Sequence, residues 1–253
     1  MKAILIAAGM GTRLRPMTRD LPKCMAIRSG GTTLFDRQIE ALRSCGISEI
    51  VVIRGYQGEK FTRKDVRYVW NHDFERNNIL GSLMKAAAEF DDELLASYSD
   101  IWFEPSVPRN LLQAPEDIVL AVDTAWQKAY QGRTDHPPAE AEMVEMDDTP
   151  QVRRIGKISG QSGPLHGEFI GMMKFSRAGA EMFRKKYLEA ESIFSGKPFQ
   201  RAPIFEKAYV TDMLQYLTNQ GVTVTCQPTA GRWREIDTLQ DFENLTKLWG
   251  GTA

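Results

Sequence analysis

The sequence predicts an α/β fold: a single domain over residues 1–253, with a mainly parallel central sheet flanked by helices and a small antiparallel β insertion. Short apolar segments of strand character alternate with helical segments in the first half of the chain, which is typical of a parallel sheet covered by helices. From Ala141 to Phe175, strand-like runs instead follow one another with little helix between them. No repeat or linker divides the chain, so we assign this second pattern to a lid-like insertion at roughly 124–175.

The individual elements follow from hydrophobic periodicity and from their end signals. Six strands are predicted from short apolar or alternating runs: Lys2–Ala8, Glu49–Ile53, Val66–Trp70, Leu94–Tyr98, Ile118–Val122 and Val222–Cys226. Helices are predicted from Leu34 onward, at Leu80–Phe90, Arg177–Glu191 and Pro203–Thr218, and after Asp237. The first of these helices has Thr33 and Asp36 as a capping signal and Gly46 as its stop.

Composition excludes several classes of protein. The 32 Lys and Arg nearly balance the 33 Asp and Glu, so there is no basic excess for nucleic-acid binding, and any anion site must be built locally. The three cysteines lack metal-ligand spacing, which favours free thiols in a reducing compartment. The apolar run at the N-terminus is too short to span a bilayer and enters a Gly/Arg loop. We expect a cytoplasmic protein without membrane contact; the sequence leaves the oligomeric state open, a homodimer included.

A glycine-containing loop, Gly9–Leu14, follows the first strand directly. Glycine lets backbone N–H groups approach a phosphate, although a simple tight turn has the same composition. A dinucleotide-binding fingerprint needs a third glycine where Leu14 stands, and the Gly-Lys-Ser/Thr end of a Walker loop is absent. The loop instead carries Arg13 and Arg15 and leads to Lys23, which is a pattern suited to cradling a triphosphate.

The segment LIAAGMGTRLRPMT from Leu5 to Thr18, followed by Leu21-Pro22-Lys23, resembles the signature of the sugar-phosphate nucleotidyltransferases and their cytidylyltransferase relatives. The resemblance implies a Rossmann-like nucleotidyltransferase domain whose loop wraps the triphosphate. It also implies that Lys23 contacts the phosphates of donor and acceptor, with Arg13 as the second catalytic side chain. The implied nucleotide-binding residues in this segment are Ala7, Ala8, Gly9, Met10, Gly11, Thr12 and Arg13.

Two aspartates follow predicted strands far apart in the chain. Asp100 comes after the strand ending at Tyr98, where α/β sheets place their ligand crevice, and Ser99 beside it is a candidate nucleotide contact. Asp237 precedes the last helix, so a helix N-cap is its alternative role, just as a turn is for Asp100. Together with a triphosphate loop, the two carboxylates suit Mg²⁺. The resemblance implies the same pair as metal ligands.

The implied reaction is attack of an acceptor phosphate oxygen on the α-phosphorus of the donor, with pyrophosphate leaving. Because the attacking oxygen is already anionic, the enzyme needs positioning and charge neutralisation rather than a general base. The three histidines, His72, His136 and His166, are therefore interpreted as surface or core residues.

Downstream segments are similar to the phosphocholine and small-phosphonate cytidylyltransferase branch: Asn77–Leu83, Tyr98–Ile101, Gly167–Gly171 and Glu235–Thr238. This resemblance implies CTP as donor. Asn78 and Ser82 stand at a helix start, where they either hydrogen-bond the cytosine edge or simply cap the helix.

The acceptor site is expected in the insertion. Asp123, Trp126 and Tyr130 follow a strand end, and with Glu168 they would bind an ammonium group by cation–π contact and ion pairing. Packing of the two aromatic rings on the core is the alternative. Arg133 and Lys157 are candidates for the phosphate or phosphonate of the acceptor.

The sequence thus predicts Mg²⁺-dependent transfer of CMP from CTP to phosphocholine or to a small phosphonate such as 2-aminoethylphosphonate. A sugar-1-phosphate uridylyl- or thymidylyltransferase is the first alternative, and a non-catalytic nucleotide-sensing subunit is the second. Loss of Asp100 or Asp237 would have favoured the sensor, and both are present.

Overall fold

Strand β1 (Lys2–Ala7) lies inside the central sheet of the computed structural model, which describes residues 1–157 and 165–249. The neighbouring strands β4 (Glu49–Arg54) and β6 (Leu94–Tyr98) are parallel to β1, and β5 (Arg67–Trp70) extends this side of the sheet in the same direction. The strands of the described residues are β1 Lys2–Ala7, β2 Arg28–Ser29, β3 Thr32–Thr33, β4 Glu49–Arg54, β5 Arg67–Trp70, β6 Leu94–Tyr98, β7 Ile101–Phe103, β8 Ile118–Asp123, β9 Met143–Met146, β10 Val152–Gly156, β11 Leu165–Phe175, β12 Thr225–Thr229 and β13 Trp233–Glu235.

The antiparallel part of the sheet is built around the long strand β11, which pairs with β6, β8 and β9. Strand β10 pairs with the far edge of β9 and so extends the antiparallel part of the sheet. Strand β12 pairs with β8 in parallel. The predicted succession of strands between Ala141 and Phe175 is therefore confirmed for the described residues; residues 158–164 of the predicted insertion lie outside them.

Helices cover both faces of the sheet because its strands bury side chains on both sides. Along β1, Ile4 and Ile6 belong to one apolar cluster, while Ala3, Leu5 and Ala7 belong to the cluster on the opposite face. The helices are α1 Lys23–Ala26, α2 Leu34–Ser44, α3 Ile79–Leu83, α4 Ser106–Gln113, α5 Arg177–Phe194, α6 Val210–Asn219 and α7 Leu239–Leu248. Within residues 1–157 and 165–249, none of these helices combines the length and apolar character needed to cross a bilayer.

Local capping explains where α2 begins. The Thr33 hydroxyl accepts from the Asp36 backbone N–H at 3.0 Å, and the Asp36 carboxylate accepts from the Thr33 N–H. This is the predicted capping signal.

Other predicted bounds differ from the structure. The helix predicted at Leu80–Phe90 is regular only to Leu83, because Ala86 leaves helical geometry (φ −95°, ψ 26°) and the following turns are 3₁₀. The helix predicted from Pro203 begins at Val210. The elements that were not predicted include β7, α4 and β13.

A third apolar cluster ties the glycine loop to the C-terminal helix. Leu14 of the loop packs with Ile27, Leu34, Ile236 and Leu245, all buried. Since Arg13 precedes Leu14 and Asp237 follows Ile236, this cluster holds two charged side chains beside each other at the edge of the sheet.

Candidate functional site

A cleft of about 290 Å³ opens at the carboxyl ends of β1 and β6. This is the edge of an open α/β sheet where ligands bind, because loops diverge there from neighbouring strands. Its lining comprises Ile6, Ala7, Gly9, Gly11, Thr12, Arg13, Lys23, Ile79, Tyr98, Ser99, Asp100 and Asp237. Most of the predicted loop residues therefore lie at the cleft. Ile6, Ile79 and Tyr98 were not predicted.

The glycine loop has a conformation that requires glycine at one position. Gly11 is left-handed (φ 56°), and a Cβ there would lie 3.0 Å from the Cβ of Lys23 and 3.2 Å from the Thr18 methyl carbon. The Thr18 hydroxyl donates to the Gly11 carbonyl at 2.7 Å. The loop is thus closed tightly over Lys23, and the Lys23 side chain emerges into the cleft.

Lys23 lies between the two predicted metal ligands. Its Nζ is 2.9 Å from Asp100 Oδ2 and also contacts Asp237 Oδ1. Burial disfavours the ammonium, but the charges of Asp100 and Asp237 outweigh this effect and raise the pKa of Lys23. Two carboxylates that touch one cation are close enough to share a divalent ion, so the donor set fits Mg²⁺.

Hydrogen bonds to the backbone around Asp100 fix its position relative to Asp237. The buried Gln38 amide donates to the carbonyls on both sides of the Asp100 turn, Tyr98 at 3.0 Å and Ile101 at 2.7 Å. Strand β13 pairs with β7, and the Ile236 N–H donates to the Asp100 carbonyl at 3.0 Å. The unpredicted strands β7 and β13 are therefore what bring the two carboxylates together.

Two further side chains contact Asp237. Arg13 donates to Asp237 Oδ2, and His136 Nδ1 lies 3.3 Å from the same oxygen. Burial raises the pKa of Asp237, but Lys23 and His136 reverse this, and the carboxyl has a pKa well below its usual range. Asp237 therefore stays ionised, as a metal ligand must.

Glu235 and His136 adjoin Asp237, and sequence reasoning did not place either residue at the site. His136 is 5% exposed, and its Nε2 lies 3.6 Å from Glu235 Oε2. His136, Glu235 and Asp237 each offer a ligand atom, and these atoms all lie within 4.8 Å of one another. Burial and the negative charges of Asp237 and Asp100 raise the pKa of Glu235. The sequence did contain a signal for Glu235. Residues two positions apart on an extended segment point to the same side, so Glu235 is expected on the same side as Asp237.

Asn78 and Ser82 are not among the residues that line the cleft, and their role as base-reading residues stays a prediction. Asn78 Oδ1 caps α3 by accepting from the Ile79 N–H at 2.8 Å, and its amide donates to the Lys207 carbonyl at 3.1 Å. Ser82 is buried, and its hydroxyl accepts from Asn71 at 2.9 Å. The capping interpretation is the one that the geometry supports.

The members of the predicted cationic pocket contact other groups of the protein, and their role in acceptor binding stays a prediction. Asp123 is 1% exposed and accepts from the Trp233 indole at 2.8 Å and from the Gly231 N–H at 3.0 Å. Tyr130 is buried, donates to Glu168 at 2.5 Å, and packs edge-on against Trp126. These residues form a packed wall, as the alternative interpretation proposed.

The two predicted phosphate-binding cations have different surroundings. Arg133 is buried in ion pairs with Asp241 at 2.6 Å and with Glu235 at 3.1 Å, and its role as a phosphate ligand stays a prediction. Lys157 is exposed, pairs with Glu140, and remains available at the surface. Of the histidines, His72 stacks on Trp70 at the surface, and the side chain of His166 lies outside the described residues.

A glycine loop on the first strand, a buried lysine and two carboxylates from separate strand ends define a nucleotidyltransferase type of site. The chain belongs to the family of MobA-like NTP transferase domains, whose model matches residues 3–223.

Named relatives narrow the class further. The chain is 29% identical to a CTP:phosphoglutamine cytidylyltransferase of Campylobacter jejuni, over 96% of this chain and 98% of the relative. It is 30% identical to a 2-aminoethylphosphonate cytidylyltransferase of Lancefieldella rimae, over 71% of this chain and 68% of the relative. The predicted resemblance to the cytidylyltransferase branch is confirmed, and with it the enzyme class.

Solved structures confirm the fold. A CTP:phosphocholine cytidylyltransferase from Streptococcus pneumoniae superposes with a TM-score of 0.70 at 22% identity, covering 98% of each chain. An inositol-1-phosphate CTP transferase from T. maritima gives a TM-score of 0.72 at 24% identity, covering 100% of this chain and 97% of that one.

Proposed function

We propose that the protein is a Mg²⁺-dependent cytidylyltransferase that transfers CMP from CTP to a small phosphorylated or phosphonate acceptor and releases pyrophosphate. The observation that carries this proposal is the Lys23 ammonium held between Asp100 and Asp237 directly beneath the glycine loop. The cytidylyltransferase relatives support the choice of CTP.

In this proposal the chain supplies positioning and charge. Backbone N–H groups of the glycine loop and the half-exposed Arg13 side chain face the triphosphate. Asp100 and Asp237 would hold Mg²⁺, which would neutralise charge on the phosphate oxygens. Lys23 exchanges its carboxylate partners for the phosphates of donor and acceptor. The acceptor oxygen attacks without a general base because it is already anionic.

The residues around Glu235 and Asp237 have a supporting role in this proposal. Arg133 pairs with Glu235, while Arg13, Lys23 and His136 surround Asp237. Asp237 is thus kept charged and fixed in place before a metal binds, which lowers the reorganisation needed during catalysis.

Pyrophosphate release measured across a matrix of substrates tests the proposal. Four nucleoside triphosphates are crossed with phosphocholine, 2-aminoethylphosphonate, O-phosphoserine and glucose-1-phosphate, with Mg²⁺ or with EDTA. Asp100→Asn removes one proposed metal ligand, and Asp148→Asn, at an exposed position, is the matched control.

We expect CTP to be the preferred donor, turnover to be lost in EDTA, and Asp100→Asn to reduce kcat by at least ~10²-fold. Asp148→Asn keeps the parental rate. Equal or faster turnover of UTP or dTTP with glucose-1-phosphate would establish the sugar-1-phosphate alternative instead. Tight nucleotide binding without turnover on any acceptor would favour the sensor.

A further inference from the structure

A second group of polar side chains adjoins the cleft at Tyr98. The Tyr98 hydroxyl donates to Glu142 Oε2 over a long distance of 3.5 Å, and the Thr211 hydroxyl donates to Glu142 Oε1 at 2.7 Å. Arg201 donates from Nη2 to Thr211 Oγ1 at 3.3 Å. We call Tyr98, Glu142, Thr211 and Arg201 the polar rim. It joins the cleft to the antiparallel part of the sheet and to the start of α6.

The Glu142 carboxylate accepts few hydrogen bonds from the described residues. Burial raises the pKa of Glu142, and the Thr211 hydroxyl and the positive charge of Arg201 oppose that effect. A carboxylate offers about four acceptor sites, whereas the described residues give Glu142 one short and one long hydrogen bond. A group with several N–H donors would complete its hydrogen bonding.

The Arg201 guanidinium is held by one edge only. Its Nε donates to the buried Asp212 at 3.2 Å and its Nη2 to Thr211, while no bond to Nη1 is seen among residues 1–157 and 165–249. The free edge of the guanidinium suits the planar geometry of a carboxylate. Arg201 is 41% exposed, so a ligand can reach it.

Two glycines leave room for these side chains. A Cβ on Gly156 (φ 128°) would lie 1.7 Å from Arg201 Nη1, and a Cβ on Gly171 (φ 78°) would lie 2.5 Å from Tyr98 Cδ2. Both glycines have a backbone conformation that other residues rarely adopt. The antiparallel strands are therefore shaped to hold Tyr98 and Arg201 where they stand.

We propose that the polar rim binds the organic part of the acceptor and selects a phosphorylated amino acid, with Glu142 binding its ammonium group and Arg201 its carboxylate. This inference rests on the proposed function. A primary ammonium has N–H groups that can donate to the Glu142 oxygens, whereas a trimethylammonium group has none. Phosphoglutamine, named for the Campylobacter relative, is an acceptor of the proposed class.

The experiment compares acceptors that differ by one carboxylate. The pairs are O-phosphoserine with phosphoethanolamine, and O-phosphohomoserine with 3-aminopropyl phosphate. Pyrophosphate release from CTP gives kcat/KM, and calorimetric titration of the same compounds into the Mg²⁺-loaded protein gives Kd without requiring turnover. The variants are Glu142→Gln, Arg201→Gln and Arg201→Lys, which keeps a positive charge, with exposed Arg184→Gln as the matched control.

The amino-acid member of at least one pair should exceed its decarboxylated partner at least ~10-fold in kcat/KM and in affinity, the effect of one charge-assisted contact. Arg201→Gln abolishes that ratio, Arg201→Lys restores it in part, and Arg184→Gln leaves it unchanged. Glu142→Gln weakens every amine-bearing acceptor by at least ~10-fold.

Equal affinity within both pairs, or stronger binding of phosphocholine, overturns the inference even if CTP turnover is normal. A different result is also informative: no turnover of CTP, but a preserved difference in Kd between the amino-acid acceptors and their decarboxylated partners. That result contradicts the proposed function and still supports acceptor selection by the polar rim. Melting temperatures of all variants separate loss of binding from loss of folding, because Arg201 also contacts Asp212.

Discussion

Replacing Lys23 by methionine tests the arrangement of the charges of Lys23, Asp100 and Asp237 in the cleft. Methionine keeps much of the length of the side chain but removes the ammonium between Asp100 and Asp237. Removing one partner of a buried ion pair costs about 3–5 kcal/mol. The side chains of Asp100 and Asp237 are 29% and 13% exposed, so solvent screens part of the repulsion. We expect a loss of about 2–3 kcal/mol in the free energy of unfolding.

For a chain of this size, 1 kcal/mol shifts the melting temperature by roughly 2–4 °C, so Lys23→Met should melt about 4–12 °C below the parent protein in EDTA. Mg²⁺ can then replace the missing positive charge. Millimolar Mg²⁺ should therefore stabilise the variant more than the parent, in which Lys23 competes for the same carboxylates. Differential scanning calorimetry measures both effects.

The same variant should lose catalysis even where Mg²⁺ restores its stability. We expect kcat to fall at least ~10²-fold with a smaller change in the KM for CTP, because Lys23 would contact both reacting phosphates. The exposed Lys185→Met is the matched control and should keep parental stability and rate. A Lys23→Met protein that melts like the parent in EDTA, or that gains nothing extra from Mg²⁺, would refute the proposed charge arrangement.

Three further predictions concern other parts of the site. Asp237→Asn should lower kcat at least ~10²-fold with Mg²⁺ saturating, and near-normal turnover in steady-state assays would remove Asp237 from the metal site. Burial, partly offset by the Tyr130 hydrogen bond, raises the pKa of Glu168 from 4.5 to about 8, so its contribution to stability is complete below the unfolded-state pKa and is lost progressively as pH rises to about 8. Glu168→Gln should accordingly flatten the fall in melting temperature between about pH 5 and pH 8, whereas an unchanged slope would show that Glu168 does not titrate there. Gly171→Ala should displace Tyr98 and raise acceptor KM with little change for CTP; an unaltered acceptor KM contradicts this.

The parts of the site that were predicted from sequence depend on local patterns. The glycine loop and Lys23 are close in sequence, so their spacing alone placed them together. The strand ends at Ser99 and Asp100 followed from the apolar run of β6. Sequence also identified Asp237, although it gave no contact between Asp237 and Lys23.

What the sequence did not reveal depends on long-range pairing. Strands β7 and β13 are three residues each, too short for a periodic signal, yet their pairing fixes the distance between Asp100 and Ile236. Asp123 was expected at the cleft because it ends a strand. Its carboxylate is instead occupied by Trp233, a residue 110 positions later.

The predicted acceptor residues in the insertion make contacts that the sequence did not reveal, for a related reason. Aromatic and acidic residues after β8 suggested a cation pocket, but their neighbours in space come from β11 and β13. Glu142 and Arg201 come together only through Thr211 at the start of α6. No local pattern in the sequence links these three positions.

The most direct test of the central claim is a ³¹P NMR spectrum of the products formed from CTP and an accepted substrate. Attack at the α-phosphorus predicts two mutually coupled signals from a new P–O–P linkage between CMP and the acceptor, with one equivalent of pyrophosphate. Asp237→Asn should remove all of these signals. Formation of CDP or of inorganic phosphate as the first product would place the attack at the γ-phosphorus and contradict nucleotidyl transfer.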